Sequence, residues 1–203
     1  MKKLLLLVLA FPMSSWALIT ARANYTGIVA KDALTDVCKG KSCEGQTPGM
    51  VPLYGLGADV LVSLPLVPVG FGLRTEKLKL EVEKDGIEGE AHLNRTAILA
   101  NYRLINTIVH LGPIISYGID HSAGVRVAQG GSNVVDYSGG TLTSYTVGME
   151  LEVKPLIVLP LIVGAEAGLI QTKWKDATDS VSGNKKDIDL SGNYIKFFLG
   201  LDI

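Results

Sequence analysis

The stretch LTSYTVGMELEVK, residues 142 to 154, changes chemical character at every step. Successive side chains of an extended chain point to opposite faces. Thr143, Tyr145, Val147, Met149, Leu151 and Val153 therefore form one surface, and Ser144, Thr146, Gly148, Glu150, Glu152 and Lys154 the other. The same alternation returns along the chain with turns between, and no segment sustains the 3.6-residue apolar period of an amphipathic helix. The sequence predicts an all-β fold.

Eight such stretches follow one another. LITARANYTGIVAK (18–31) sets Ile19, Ala21, Ala23, Tyr25 and Val29 against Thr20, Arg22, Asn24 and Thr26, and LYGLGADVLVSL (53–64) sets Tyr54, Leu56, Val60 and Val62 against Asp59 and Ser63. VGFGLRTE starts at Val69, RTAILANYRLI spans 95–105 and TIVHLGPIISYGID spans 107–120. The opening stretch is the sixth, LIVGAEAGLIQT (161–172) the seventh and LSGNYIKFFLGLDI (190–203) the eighth. Their connections alternate: long around 32–50, 77–92, 121–141 and 175–188, short at 65–68, 106–107 and 155–160. An even number of antiparallel strands, with long loops at one end and tight turns at the other, is the layout of a transmembrane barrel of the bacterial outer membrane. A soluble sandwich would also accept two-faced strands, but does not call for that rhythm of connections.

In the third stretch the faces exchange meaning. Val69, Phe71 and Leu73 are apolar, and the same parity continues as Thr75, Lys77, Lys79, Glu81 and Glu83, while the opposite parity turns apolar at Leu78, Leu80 and Val82. A ribbon leaving lipid for water does this, which places the outer membrane boundary near Thr75. Tyr54, Tyr117 and Tyr145 fall on apolar faces near the long-loop ends, where an aromatic girdle is expected.

The polar faces carry Arg22, Arg74, Arg95, Arg103, Lys154 and Lys196 against Asp59, Glu76, Asp120, Glu150, Glu152, Glu166 and Asp202. An eight-stranded barrel is narrow enough for side chains to fill, so these charges are expected to pair inside it rather than line a wide channel. A ring of one sign, as a selective pore requires, is lacking. Counting back across the turn PLVP sets Asp59 opposite Arg74, and the same count across Asn106 and Thr107 sets Arg103 opposite His110. Pro113, inside the fifth stretch, predicts a bulge, because proline removes a ladder hydrogen bond.

The chain opens MKKLLLLVLAFPMSSWA, with two lysines, an apolar run and then small residues. This is the pattern of a secretory signal cleaved after Ala17, ARA at 21–23 being a weaker site, so the mature domain is expected to span 18–203. No later segment reaches the roughly 18 apolar residues of a spanning helix. The 19 basic and 20 acidic residues leave, once Lys2 and Lys3 are removed, a net charge of about −3. No basic excess points to nucleic acid. Cys38 and Cys43, in VCKGKSC, are expected to form a disulfide in an oxidising compartment. Two sulfurs without a neighbouring histidine are too few for a metal, and His92, His110 and His121 are not spaced as ligands. In Asp120-His121-Ser122 adjacent side chains point to opposite faces, which a catalytic triad does not allow. GIEGEAH and AQGGSNVVDYSGG lack the strand-to-helix setting of a phosphate loop and read as external loops. The expectation is no cofactor and no metal.

These features resemble the OmpA-type and OmpX-type small barrels of bacterial outer membranes, by pattern across nearly the whole mature chain. The resemblance implies periplasmic termini, insertion by the barrel-assembly machinery, contact with outer-membrane lipid and lipopolysaccharide, and a monomer. Family members usually finish on an aromatic residue, where this chain has Ile203. Lipid A deacylases among such barrels carry a serine two places after the catalytic histidine; Asn94, Gly112 and Ala123 stand there instead. The expected role is structural or surface interaction, without enzymatic activity. The alternatives are a small channel for ions or apolar solutes, similar to OmpW-type barrels, and a lipid A-modifying enzyme.

Overall fold

The computed structural model describes residues 18–31, 37–41, 44, 50–64, 67–84, 86–106, 108–155 and 160–202. The strands are β1 (Leu18–Lys31), β2 (Met50–Ser63), β3 (Val69–Lys84), β4 (Ile87–Tyr102), β5 (Ile105–Asn106), β6 (Val109–Gln129), β7 (Ser132–Ser138), β8 (Thr141–Val153), β9 (Leu161–Asp179), β10 (Lys185–Asp189) and β11 (Gly192–Asp202). Eight of them close a ring in the order β1, β2, β3, β4, β6, β8, β9, β11, every pair antiparallel. Closure comes from β11 lying along β1, with Ala23 opposite Leu199, so every strand of the ring has two neighbours.

Burial is inverted relative to a protein folded in water. Leu56 is 70% exposed, Leu169 63% and Phe197 56%, whereas Arg74, Glu166 and Lys196 are 1% exposed and Glu152 0%. The apolar parities of all eight ring strands face outward as one belt, and the charged parities face the lumen. A sandwich would place these faces the other way round. The fold is an eight-stranded antiparallel transmembrane β-barrel. Among the described residues no helix is long and apolar enough to cross a membrane, so the belt belongs to strands.

The connections at 77–92, 121–141 and 175–188 are shorter than the sequence suggests, because the strands run on through them. β3 and β4 stay paired as far as Lys84 and Ile87. β6 continues to Gln129 and turns through Gly130 and Gly131, both at positive φ, into β7. β9 reaches Asp179 before pairing with β10. The exchange of faces seen in the third stretch explains these ribbons: Thr75, Lys77, Lys79, Glu81 and Glu83 are exposed, while Leu78 and Leu80 are buried.

At Pro113 the ladder is irregular, in keeping with the expected bulge: between the pairs Asn101–Ile114 and Ile105–Leu111 the residues 102–104 stand against only Gly112 and Pro113. Two other local expectations are corrected. A further bulge lies at Ile119, where Thr96 pairs with Asp120 and Ala97 with Gly118. The bulge shifts parity along β6 and leaves Asp120 exposed rather than luminal. Arg103 does not face His110, because the turn is not the tight one assumed: Asn106 takes that place, and the Arg103 backbone N–H donates to Pro68 O at 2.7 Å.

Candidate functional site

The lumen is layered. Nearest the short turns, Lys154 Nζ meets Asp202 Oδ2 at 2.5 Å and His110 Nδ1 meets Glu152 Oε1 at 2.8 Å. A small apolar cluster of Leu61, Leu99 and Ile114 also lies toward this end. Arg103 is buried here, and among the described residues its Nε and Nη2 have no hydrogen-bond partner.

The middle layer is a charge lattice. Arg74 donates from Nε and Nη2 to both oxygens of Asp59, each at 2.9 Å, and from Nη1 and Nη2 to Glu166 at 3.0 and 2.7 Å. A planar guanidinium presents its donors as a fork, which suits a carboxylate on each side. Asp59 is its neighbour across the β2–β3 ladder. Glu166 comes from β9, four strands away from β3 in either direction around the ring, so the contact bridges the full width of the lumen. Arg22 reaches Glu150 and Glu152, both at 2.5 Å, and its guanidinium stacks 4.4 Å from the Phe198 ring centroid. Lys196 lies 2.7 Å from Glu76 and 4.0 Å from Glu166. Arg95 approaches Glu76 at 3.4 Å and donates to Ser116 Oγ. Neutral groups complete the lattice: Asn24 on Asp59 at 2.9 Å, Thr26 on Glu76 at 3.0 Å, Asn101 on Glu150 at 2.9 Å and Tyr194 on Glu166 at 2.6 Å. Buried charges cost several kcal/mol each unless so paired.

Toward the loop end the inward side chains become apolar. Ile28, Leu53, Leu78, Leu80, Leu93, Val125, Val127, Ile170, Trp174 and Ile188 form one core, which also takes in Val37 and Cys38 from the β1–β2 connection. Trp174 is fully buried and donates from Nε1 to Gly139 O at 2.5 Å. Above it, Asp179 accepts from Ser182 Oγ at 2.5 Å and from the backbone N–H groups of Asp136 and Val181, and meets Lys41 Nζ at 3.4 Å. The carboxylate thus ties together the cysteine-bearing segment, β7 and the β9–β10 turn. Burial raises its pKa, but these hydrogen bonds, from Ser182 first, outweigh that and hold it below the usual carboxylate range. Among the described residues no cysteine is free. Cys38 is disulfide-bonded, and its one possible partner in the sequence, Cys43, lies outside the described residues.

The sequence reading missed Tyr194, Trp174 and Asp179. All three are inward or loop-end positions flanked by stronger outward patterns; the apolar turn of the inward parity, noticed only in β3, recurs at Ile28 in β1 and at Ile170 and Trp174 in β9. His121 and Ser122 do not meet. The imidazole Nε2 instead lies 2.7 Å from Ser144 Oγ, folded over Gly118, where any Cβ would collide with the ring. Ser144 is fully buried. Among the described residues no group of three or more His, Cys, Asp or Glu could hold a metal ion.

A closed ring of eight strands, an outward apolar belt and a lumen of paired charges define the fold of the small β-barrels of bacterial outer membranes. The chain is similar in fold to Ail, the attachment invasion locus protein of Yersinia pestis, with a TM-score of 0.51 and 13% identity over 92% of this chain and 97% of that one. Neisserial surface protein A (NspA) gives a TM-score of 0.49 at 12% identity, covering 91% and 97%. Outer membrane protease OmpT from Escherichia coli gives 0.42 at 10%, covering 92% and 93%. At such identities the likeness concerns the fold alone. No known protein-family profile and no curated protein sequence matches the chain.

Proposed function

We propose that this chain is a non-conducting outer-membrane barrel that works at the cell surface, holding the β3–β4, β6–β7 and β9–β10 ribbons and the cysteine-bearing β1–β2 connection on a rigid base. The observation that carries this reading is the Arg74–Glu166 contact between opposite walls at 2.7 Å, at a level where Arg22, Lys196 and Arg95 occupy the remaining width. Above it the apolar core offers ions no hydration. What is left for function is the exposed end, where binding residues on rigid scaffolds are usually sited. Ail, named for attachment, has a barrel of similar fold, which supports the same general kind of role.

In this reading residues 1–17 are removed on export, both termini are periplasmic, Cys38 is bonded to Cys43, insertion uses the barrel-assembly machinery and the monomer sits among outer-membrane lipid and lipopolysaccharide. Single-channel recording in planar bilayers tests it: the purified barrel is expected to give no reproducible conductance steps, and steady openings would return the small-channel alternative. Fractionation with boiled and unboiled gels is expected to find a faster-migrating unboiled band in the outer membrane.

A further inference from the structure

The short-turn end of the barrel has an apolar rim. None of residues 64–69, 104–109 and 155–161 is charged, and Leu64, Val67, Leu104 and Ile108 are exposed. An exposed apolar cluster of this kind marks a contact surface. The rim is also held in place, because each turn gives a carbonyl to a hairpin beyond it. Pro68 O accepts from the Arg103 N–H at 2.7 Å, Ile108 O from the Lys154 N–H at 2.9 Å and Pro160 O from the Asp202 N–H at 2.8 Å. Irregular turns do not sit among acyl chains, which leaves a protein surface as their cover.

Inside the rim lies Arg103, 8% exposed, whose Nε and Nη2 have no hydrogen-bond partner among the described residues. These two atoms form one edge of the guanidinium. On Arg74 the same edge holds both oxygens of Asp59, each at 2.9 Å, so the group it fits is a carboxylate. The carboxylates of this layer are already paired, Glu152 with Arg22 and Asp202 with Lys154, both at 2.5 Å. Fork and rim adjoin, since the Arg103 backbone is bonded to the turn that bears Val67 and Leu104 is the next residue.

We propose that the short-turn end docks a periplasmic protein by its apolar C-terminal segment, with apolar side chains on Val67, Leu104 and Ile108 and the terminal carboxylate on the Nε–Nη2 edge of Arg103. This rests on the periplasmic orientation proposed above. Charge decides the partner: the rim carries none and the fork one positive charge, which an apolar segment with a single carboxylate complements.

The test is fluorescence anisotropy of an N-terminally labelled Gly-Gly-Leu-Val-Leu peptide, as free acid and as C-terminal amide, titrated with the full barrel in phosphatidylcholine nanodiscs, which leave both ends open. The barrel is expected to bind the acid roughly tenfold tighter than the amide, the order of one charge-assisted hydrogen-bonded contact. Arg103→Gln should bring the acid down to the affinity of the amide and leave the amide unchanged. Val67→Asn with Ile108→Asn should weaken both peptides alike. Binding no greater than to empty nanodiscs overturns the proposal. Equal affinity for acid and amide, or an unchanged preference in Arg103→Gln, overturns the Arg103 assignment, and unchanged affinity in the double variant overturns the rim. Val67→Trp in a Trp174→Phe background reads the other occupant: its emission is expected to be unquenched by brominated phosphatidylcholine, and quenching would put the rim among acyl chains and overturn the docking. An unboiled gel shift shows that each variant is folded; if Arg103→Gln loses it, Arg103→Lys, which keeps the charge without the fork, takes its place. A tag inserted between Asn106 and Thr107 that antibody reached on intact cells would sink the periplasmic orientation, a different failure from loss of peptide binding.

Discussion

Arg74 on β3 and Glu166 on β9 belong to opposite walls of the barrel, yet their side chains meet at 2.7 Å. Because Arg74 is also bound to Asp59 at 2.9 Å, one guanidinium bridges two carboxylates, and all three side chains are buried. Arg74→Met leaves Asp59 and Glu166 buried with the hydrogen bonds from Asn24 and Tyr194 and only more distant cations, Lys196 the nearest among the described residues. The expected loss is about 3 to 5 kcal/mol, read as a lower urea midpoint in detergent micelles. An unchanged midpoint would mean the lattice is hydrated rather than tightly paired.

Val147 lies 52% exposed in the belt, one outward position from Tyr145. Val147→Arg should destabilise the barrel by about 1 to 2 kcal/mol in lipid vesicles, between the interfacial and midplane costs of a cation. In a protein whose outward face met water the same change would cost almost nothing, so the experiment separates the two surroundings.

Asp179 gives the loop end a dependence on pH. Its folded pKa is depressed by the Ser182, Asp136, Val181 and Lys41 contacts. The stabilisation is therefore complete above the unfolded carboxylate value of about 3.9 and is lost as pH falls through the lower folded value. Hydrogen exchange at the Asp136 and Val181 amides should stay slow at neutral pH and speed up, beyond the intrinsic change, below about pH 4. Asp179→Asn should already exchange fast at pH 7 and show no further transition.

Trp174 closes the core beneath the ribbons. Trp174→Ala is expected to cost about 3 to 5 kcal/mol through the cavity it leaves. Trp174→Phe keeps much of the packing but loses the hydrogen bond to Gly139 O, and should cost about 1 kcal/mol. With Trp16 inside the leader proposed for removal, Trp174 is the remaining tryptophan of the mature chain, and its fluorescence should report a buried, blue-shifted indole that shifts red on unfolding.

Much of the fold was legible residue by residue. The first strand was read as 18–31, the span of β1, and counting across PLVP set Asp59 against Arg74, which the ladder repeats. The same counting failed at Arg103 and His110, where β4 gives way to the two-residue β5, and parity failed after Ile119, where one extra residue turned Asp120 outward. Bulges and broken ladders insert a residue without any obligatory sequence mark: Pro113 stands at one such place, and no proline or glycine pair marks Ile119.

By itself, then, the sequence determined what alternation can determine: eight strands, an apolar face and a charged face on each, and the point in β3 where the outward parity turns from apolar to charged. Those are local consequences of a side-chain period of two. Which luminal charges touch is not local. Arg74 and Glu166 are 92 residues apart, and the inward apolar residues of β1, β4, β6 and β9 merge into one core only at a common height. Ring closure and strand stagger set those heights, so the charge lattice and the core above it were decided by the tertiary structure alone.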